Sequence, residues 1–171
     1  MPKRSTATNL AILIEFVANA LDQRGHVDVI YTDFRKAFDS INIEIVLHKL
    51  SLMGLNCSAV SLLDSYLRCR SHYIFYNGVK SKHYEPTSGV PQGSILGPLL
   101  FSIFINDLPD CIKTNLLMFA DDVKLFKKIS NINDCLELQR DIDRLTDWCE
   151  TNRLQLNPDK CKIMSYTRQT A

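Results

Sequence analysis

A chain of 171 residues, 46% hydrophobic and 23% charged, is long enough for one domain and too apolar for a disordered segment. Twenty lysines and arginines against nineteen aspartates and glutamates leave a net charge of +1, so overall charge does not argue for a polyanionic partner. The six cysteines (Cys57, Cys69, Cys111, Cys135, Cys149, Cys161) form no CxxC pair and argue against zinc. No apolar stretch reaches the ~18 residues of a membrane span, and Met1-Pro2-Lys3-Arg4-Ser5-Thr6 opens without a signal peptide's apolar core. Reduced thiols in an intracellular protein are expected.

In chain order, Leu10, Leu13, Ile14, Val17 and Leu21 recur at helical spacing over 6–22, with Ser5 or Thr6 as N-cap and Gly25 as stop. Val27, Val29, Tyr31 and Asp33 share one parity of a strand that ends at Asp33. A helix over 43–53 stops at Gly54, and another runs from about Ser58 to Leu67. Residues 71–85 read as a hairpin turning at Asn77-Gly78. Pro86 and Gly89-Val90-Pro91 mark an ordered loop before a buried helix from Ile95 to Leu108. Residues 116–126 place Asp121-Asp122 between two apolar runs, a strand pair. Ile132, Cys135, Leu138, Ile142, Leu145 and Cys149 trace the apolar face of a long helix, with Glu137, Arg140, Asp141, Asp143, Arg144 and Asp147 on its other face. Lys160 to Tyr166 reads as an edge strand. The order predicts a single α+β domain over 1–171: an antiparallel sheet with helices packed on one face and the other left open.

Two adjacent carboxylates at the end of a buried strand repel each other, and a shared cation offsets that repulsion. All-oxygen ligands select magnesium or manganese. If the strand ending at Asp33 lies beside the 116–126 pair, Asp33, Asp121 and Asp122 converge. Three carboxylates around two metals suit in-line phosphoryl or nucleotidyl transfer. Taken singly, each aspartate reads equally well as a turn residue.

Phe119-Ala120-Asp121-Asp122 resembles the aspartate signature of reverse transcriptases in its non-LTR form. Asp33-Phe34-Arg35-Lys36-Ala37-Phe38-Asp39 resembles the first aspartate motif of that family, and the run from Ser88 to Phe101, containing Pro91-Gln92-Gly93, resembles its template-and-nucleotide motif. Leu156-Asn157-Pro158-Asp159-Lys160-Cys161-Lys162 resembles the fourth palm motif, and Arg4 to Leu10 a segment upstream of the first. The chain is identified by these motifs as resembling the reverse transcriptase domain of jockey-like LINE elements.

The resemblance implies a polymerase palm with part of the fingers, without thumb or endonuclease, in the nucleus or cytoplasm. It implies extension of a DNA primer on an RNA template from deoxynucleoside triphosphates, with two Mg2+ (or Mn2+) ions. Asp33 and Asp121 would bridge the ions, Asp122 would support them, and Phe34 would lend a backbone carbonyl. Phe38 would be the ring that excludes a 2′-hydroxyl. Gln92 and Gly93 would lie near the incoming nucleotide, and Lys160, with Lys162 as alternate, would protonate pyrophosphate. Asp39 and Asn106-Asp107 are assigned first to structural hydrogen bonds. The competing readings are an inactive truncated remnant and a palm-based nucleic-acid-binding module. A metal-dependent phosphohydrolase would leave Phe38 and the Pro-Gln-Gly loop unexplained.

Overall fold

The computed structural model describes residues 5–168. In chain order its elements are helix α1 (Thr6–Asp22), strand β1 (His26–Thr32), helices α2 (Ile43–Leu52) and α3 (Cys57–Arg68), and strands β2 (Phe75–Tyr76) and β3 (Val79–Lys80). Helices α4 (Leu96–Phe104) and α5 (Leu108–Cys111), strands β4 (Asn115–Phe119) and β5 (Asp122–Ile129), helix α6 (Ile132–Thr151) and strand β6 (Lys162–Tyr166) follow. They group into two compact units, one holding α1, β1, α5, β4, β5, α6 and β6, the other α2, α3, β2, β3 and α4.

The first unit is built on a four-stranded antiparallel sheet of order β4-β5-β1-β6. Leu13, Val17 and Ala20 of α1 pack on Val27, Val29, Leu117 and Phe126, forming a core on one face. Ile30 has the opposite parity and lies with Leu138 and Ile142 of α6 and with Ile163. An α+β chain with an antiparallel sheet is therefore what forms, but its helices cover both faces, not one. The cause is legible in β1, whose Val27, Val29 and Ile30 are all buried. A central strand apolar on both parities needs cover on both sides, at ~1.5–3 kcal/mol for each such side chain buried.

Other departures are local. Ser5 caps α1 in a capping box with Thr8. The left-handed residue after the helix, however, is Arg24 (φ 52°), not Gly25. Gly25 is needed for close approach instead: a Cβ there would meet the Ala20 carbonyl oxygen at 2.9 Å. The helix expected over 95–108 ends at Phe104, and Leu108-Pro109 opens the separate α5. Proline fits a first helical turn, where its missing N–H costs nothing. Along α6, Asp141 is fully buried rather than on the polar face, and Ile132 is exposed. Strand β6 starts at Lys162 because the Lys160 and Cys161 amides turn back to the Asn157 carbonyl.

In the second unit, Asn42 and Asn56 cap α2 and α3 by accepting from the Ile45 and Ala59 amides at 3.1 and 2.8 Å. Ile41, Val46, Leu50, Leu67, Leu100, Phe101 and Phe104 are buried. The hairpin turns at Asn77 (φ 47°) and Gly78 (φ 80°), the positive pair of a type I′ turn. Its strands are two residues each, with one further bridge at His72–Tyr84. Among the described residues, no helix is long and apolar enough to cross a membrane.

Candidate active site

The register of the sheet decides which acids can meet. The last pair of β1 and β5 is Thr32–Val123, locked by the Thr32 hydroxyl donating to the Val123 carbonyl at 3.0 Å. The ladder ends there, with Asp33 and Asp122 the next residue along each strand. By strand alternation Asp33 continues the parity of Tyr31 and Val29, and Asp122 that of Lys124 and Phe126, which oppose them.

Phe119 pairs with Asp122, leaving Ala120 and Asp121 as the two turn residues. Ala120 has φ 50° and Asp121 does not share the positive sign. This is the sign pattern of a type II′ turn, whose first central position favours glycine. An alanine there costs roughly 1–2 kcal/mol. Strain thus sits at the turn that presents the paired carboxylates, the kind of place where functional strain collects.

The opposite side of Asp33 is held by the segment before β6. The Asn157 amide donates to the Asp33 carbonyl at 2.7 Å, and Asn157 Nδ2 donates to Asp33 Oδ2 at 3.3 Å. Lys160 Nζ lies 3.6 Å from the same oxygen. Phe34 bridges Leu156, with the bonds made by its neighbours: the Arg35 amide to the Gln155 carbonyl, and the Asn157 amide to the Asp33 carbonyl. In such a pair the bridging residue's own carbonyl points away from the partner strand. That direction is the β5 side of β1.

Asp33, Asp121, Asp122 and the Phe34 carbonyl offer only oxygen donors, which fit magnesium or manganese. The Lys160 ammonium at Asp33 shows that a positive charge is accommodated there. Among the described residues, no three histidine, cysteine, aspartate or glutamate side chains close into a ready-made cage. An ion here would be held by carboxylates drawn in around it and by the Phe34 carbonyl.

The other sequence-derived residues belong to the second unit. The half-buried Phe38 ring packs on the buried Phe101, centroids 4.7 Å apart and planes tilted by 32°. Gln92 is exposed and donates from Nε2 to Asp39 Oδ1 at 2.8 Å, so Asp39 does make a structural hydrogen bond. The loop is fastened at three further points: Ser88 Oγ to the Asp39 carbonyl, the Gly89 amide to the Ile41 carbonyl, and the Val90 amide to the Phe38 carbonyl. Gly89 has φ 81°, and a Cβ there would fall 2.7 Å from the Asp39 backbone, so only glycine fits. Gly93 also has a positive φ, 81°. In the first unit, Asp107 accepts from the Trp148 indole at 3.0 Å.

Two residues were not singled out from the sequence. Asn157 holds Asp33 through both backbone and side chain; its signal was the Asn-Pro-Asp turn composition. Arg70 donates to the carbonyls of Leu67, Ser88 and Gly89 at 2.6, 3.2 and 2.9 Å. It pins the loop that carries Gln92, and no local pattern announces it.

The chain matches the family model described as reverse transcriptase (RNA-dependent DNA polymerase) over residues 1–170. It is 29% identical over 175 residues to the probable RNA-directed DNA polymerase from transposon BS of Drosophila melanogaster. It is 25% identical over 177 residues to the RNA-directed DNA polymerase from mobile element jockey of the same species. These alignments cover 97% and 98% of this chain and 19% of each relative, so the chain spans about a fifth of their length. Among solved structures, apo telomerase from Candida tropicalis, truncated from its C-terminal domain, superposes with a TM-score of 0.69 at 15% identity. That match covers 98% of this chain and 36% of the telomerase chain, a likeness of fold.

Proposed function

The chain belongs to the reverse transcriptase family, and from that premise we propose that it is the palm, with part of the fingers, of an RNA-directed DNA polymerase of a jockey-like non-LTR retrotransposon. In this reading it extends a DNA primer on an RNA template from deoxynucleoside triphosphates. The observation that supports it is the β1–β5 register, which ends at Thr32–Val123 and leaves Asp33 and Asp122 as the next residues, with the strained Ala120-Asp121 turn adjoining Asp122.

Asp33, Asp121 and Asp122, with the Phe34 carbonyl, would hold two divalent ions, which when bound activate the primer hydroxyl and neutralise the triphosphate. The protein's own work is positioning. Asn157 fixes the Asp33 carboxylate and its backbone. Lys160 keeps an ammonium at the site, where it serves as the general acid for the leaving group. Phe38, braced by Phe101, is the ring that screens the sugar, and the pinned Gln92-Gly93 loop addresses the incoming nucleotide.

The test is magnesium-dependent extension of a DNA primer on an RNA template. It is run with this chain and with a longer protein that carries it between the flanking regions of its full-length relatives. Extension lost in Asp121→Asn supports the reading; extension that survives Asp121→Asn and Asp33→Asn overturns it. In the active protein, Phe38→Val lowers discrimination against ribonucleotides by ~10–100-fold, the range that one lost steric contact commands. Unchanged sugar selectivity removes Phe38 from that role.

A further inference from the structure

A net charge of +1 conceals a local segregation of cations. On the first unit, away from the aspartate turn, Lys113, Thr114, Lys127, Glu137, Arg140, Asp141 and Arg144 line a cavity of about 220 Å3. Four of these side chains are cationic and two anionic. Both anions are already engaged. Asp141 accepts from the Lys113 and Thr114 amides and from Arg144, and Glu137 takes Lys127 at 2.9 Å. Lys113 and Arg140 make no ion pair among the described residues, and both are exposed. The Thr114 hydroxyl is buried at the same place, beside Asp141. Two uncompensated cations and an arginine shared with a fully occupied carboxylate therefore border one hollow.

We infer that this cavity is a second nucleic-acid contact, which seats one phosphate of a single strand between Lys113 and Arg140. The hollow is smaller than the ~300–1,000 Å3 of pockets that enclose whole small molecules. It suits an anionic group presented by a larger ligand. Arginine's planar fork matches a phosphate in two bonds, and lysine adds a point charge. The choice of RNA as that ligand rests on the polymerase reading above.

Anisotropy of a labelled single-stranded RNA, titrated with the full chain across a salt series without nucleotide or divalent ion, tests the inference independently of catalysis. The doubly substituted Lys113→Gln, Arg140→Gln chain should bind ~10-fold more weakly, with a slope of log affinity against log salt shallower by ~0.7–1.4. Arg24→Gln, which removes an exposed arginine elsewhere on the unit, should change neither. The Lys113 and Thr114 amide resonances should shift on adding RNA, and the spectra also report that the variants are folded. Equal weakening by Arg24→Gln would make this a net-charge effect and overturn the site. So would unshifted amides. Shifts with inorganic phosphate but unaltered RNA affinity in the double variant would overturn it in favour of a free-anion site.

Discussion

Asp141 and Asp33 are held by the same sheet-bearing unit, and they use their lone pairs differently. The Asp141 side chain is 0% exposed, and both of its oxygens accept from backbone amides, with Arg144 alongside. Burial pushes its carboxyl up, but the Thr114 and Lys113 amides and Arg144 outweigh that and hold it below the usual carboxylate range. Asp33 is 32% exposed, with one amide donor at 3.3 Å and one ammonium at 3.6 Å. A carboxylate whose partners are all internal serves the fold. One left open at the end of a central strand retains capacity for something that arrives.

Substitutions can break that contrast at either end. The largest effect should come from Asp141→Ala, which strands two backbone amides and leaves the one-third-exposed Arg144 guanidinium without its partner, and should cost ~1–3 kcal/mol per stranded amide in urea unfolding. Its folded carboxyl lies below its unfolded value, so its stabilisation is present above about pH 4 and is lost as pH falls. The acid limb of the stability profile should accordingly flatten in the variant. A profile of unchanged shape would refute this role. Next, Asp33→Asn should cut primer extension more than ~100-fold, beyond what residues supporting a metal ligand usually cost. Its unfolding free energy should stay within ~1 kcal/mol of wild type, because the Lys160 pair is solvated. A large loss of stability would place Asp33 with Asp141 as a building carboxylate. Asn157→Ala should then weaken Mn2+ binding ~10–100-fold, read by water relaxation; unaltered binding would make Asn157 a turn residue alone. The smallest effect is expected from Ala120→Gly, which should raise stability by ~0.5–1 kcal/mol as the left-handed strain is relieved. A destabilised variant would deny that strain.

How far the sequence carried this reading follows from the range of each interaction. The aspartate hairpin, the Asn77-Gly78 turn and the capped start of α1 are set by residues within a few positions of each other, and periodicity and turn chemistry expose them. Periodicity puts Asp141 on the polar face of α6, whereas its partners, Lys113 and Thr114, come from a segment 28 and 27 residues away. A helical wheel sees only the charge. Arg70 reaches carbonyls 18 and 19 residues on, beyond any local pattern. The break between α4 and α5 was within reach, since Pro109 marks a helix start. Within the site, the order of motifs disclosed the acids. Which of them share a face followed only from the β1–β5 register.

The last strand of the sheet bears on how the protein can be handled. Among the described residues, strand β6 pairs with β1 on one side only, and Ile163 and Met164 are 69% and 48% exposed. Its outer row of amides and carbonyls is a template on which another chain can add a strand. Lys162, at the head of the strand, is the single charge opposing that. Shelf life in concentrated solution will therefore be governed by the rate at which two such margins meet, and Met164→Lys, at a half-exposed position opposite the core residue Val29, would lengthen it at a cost in packing.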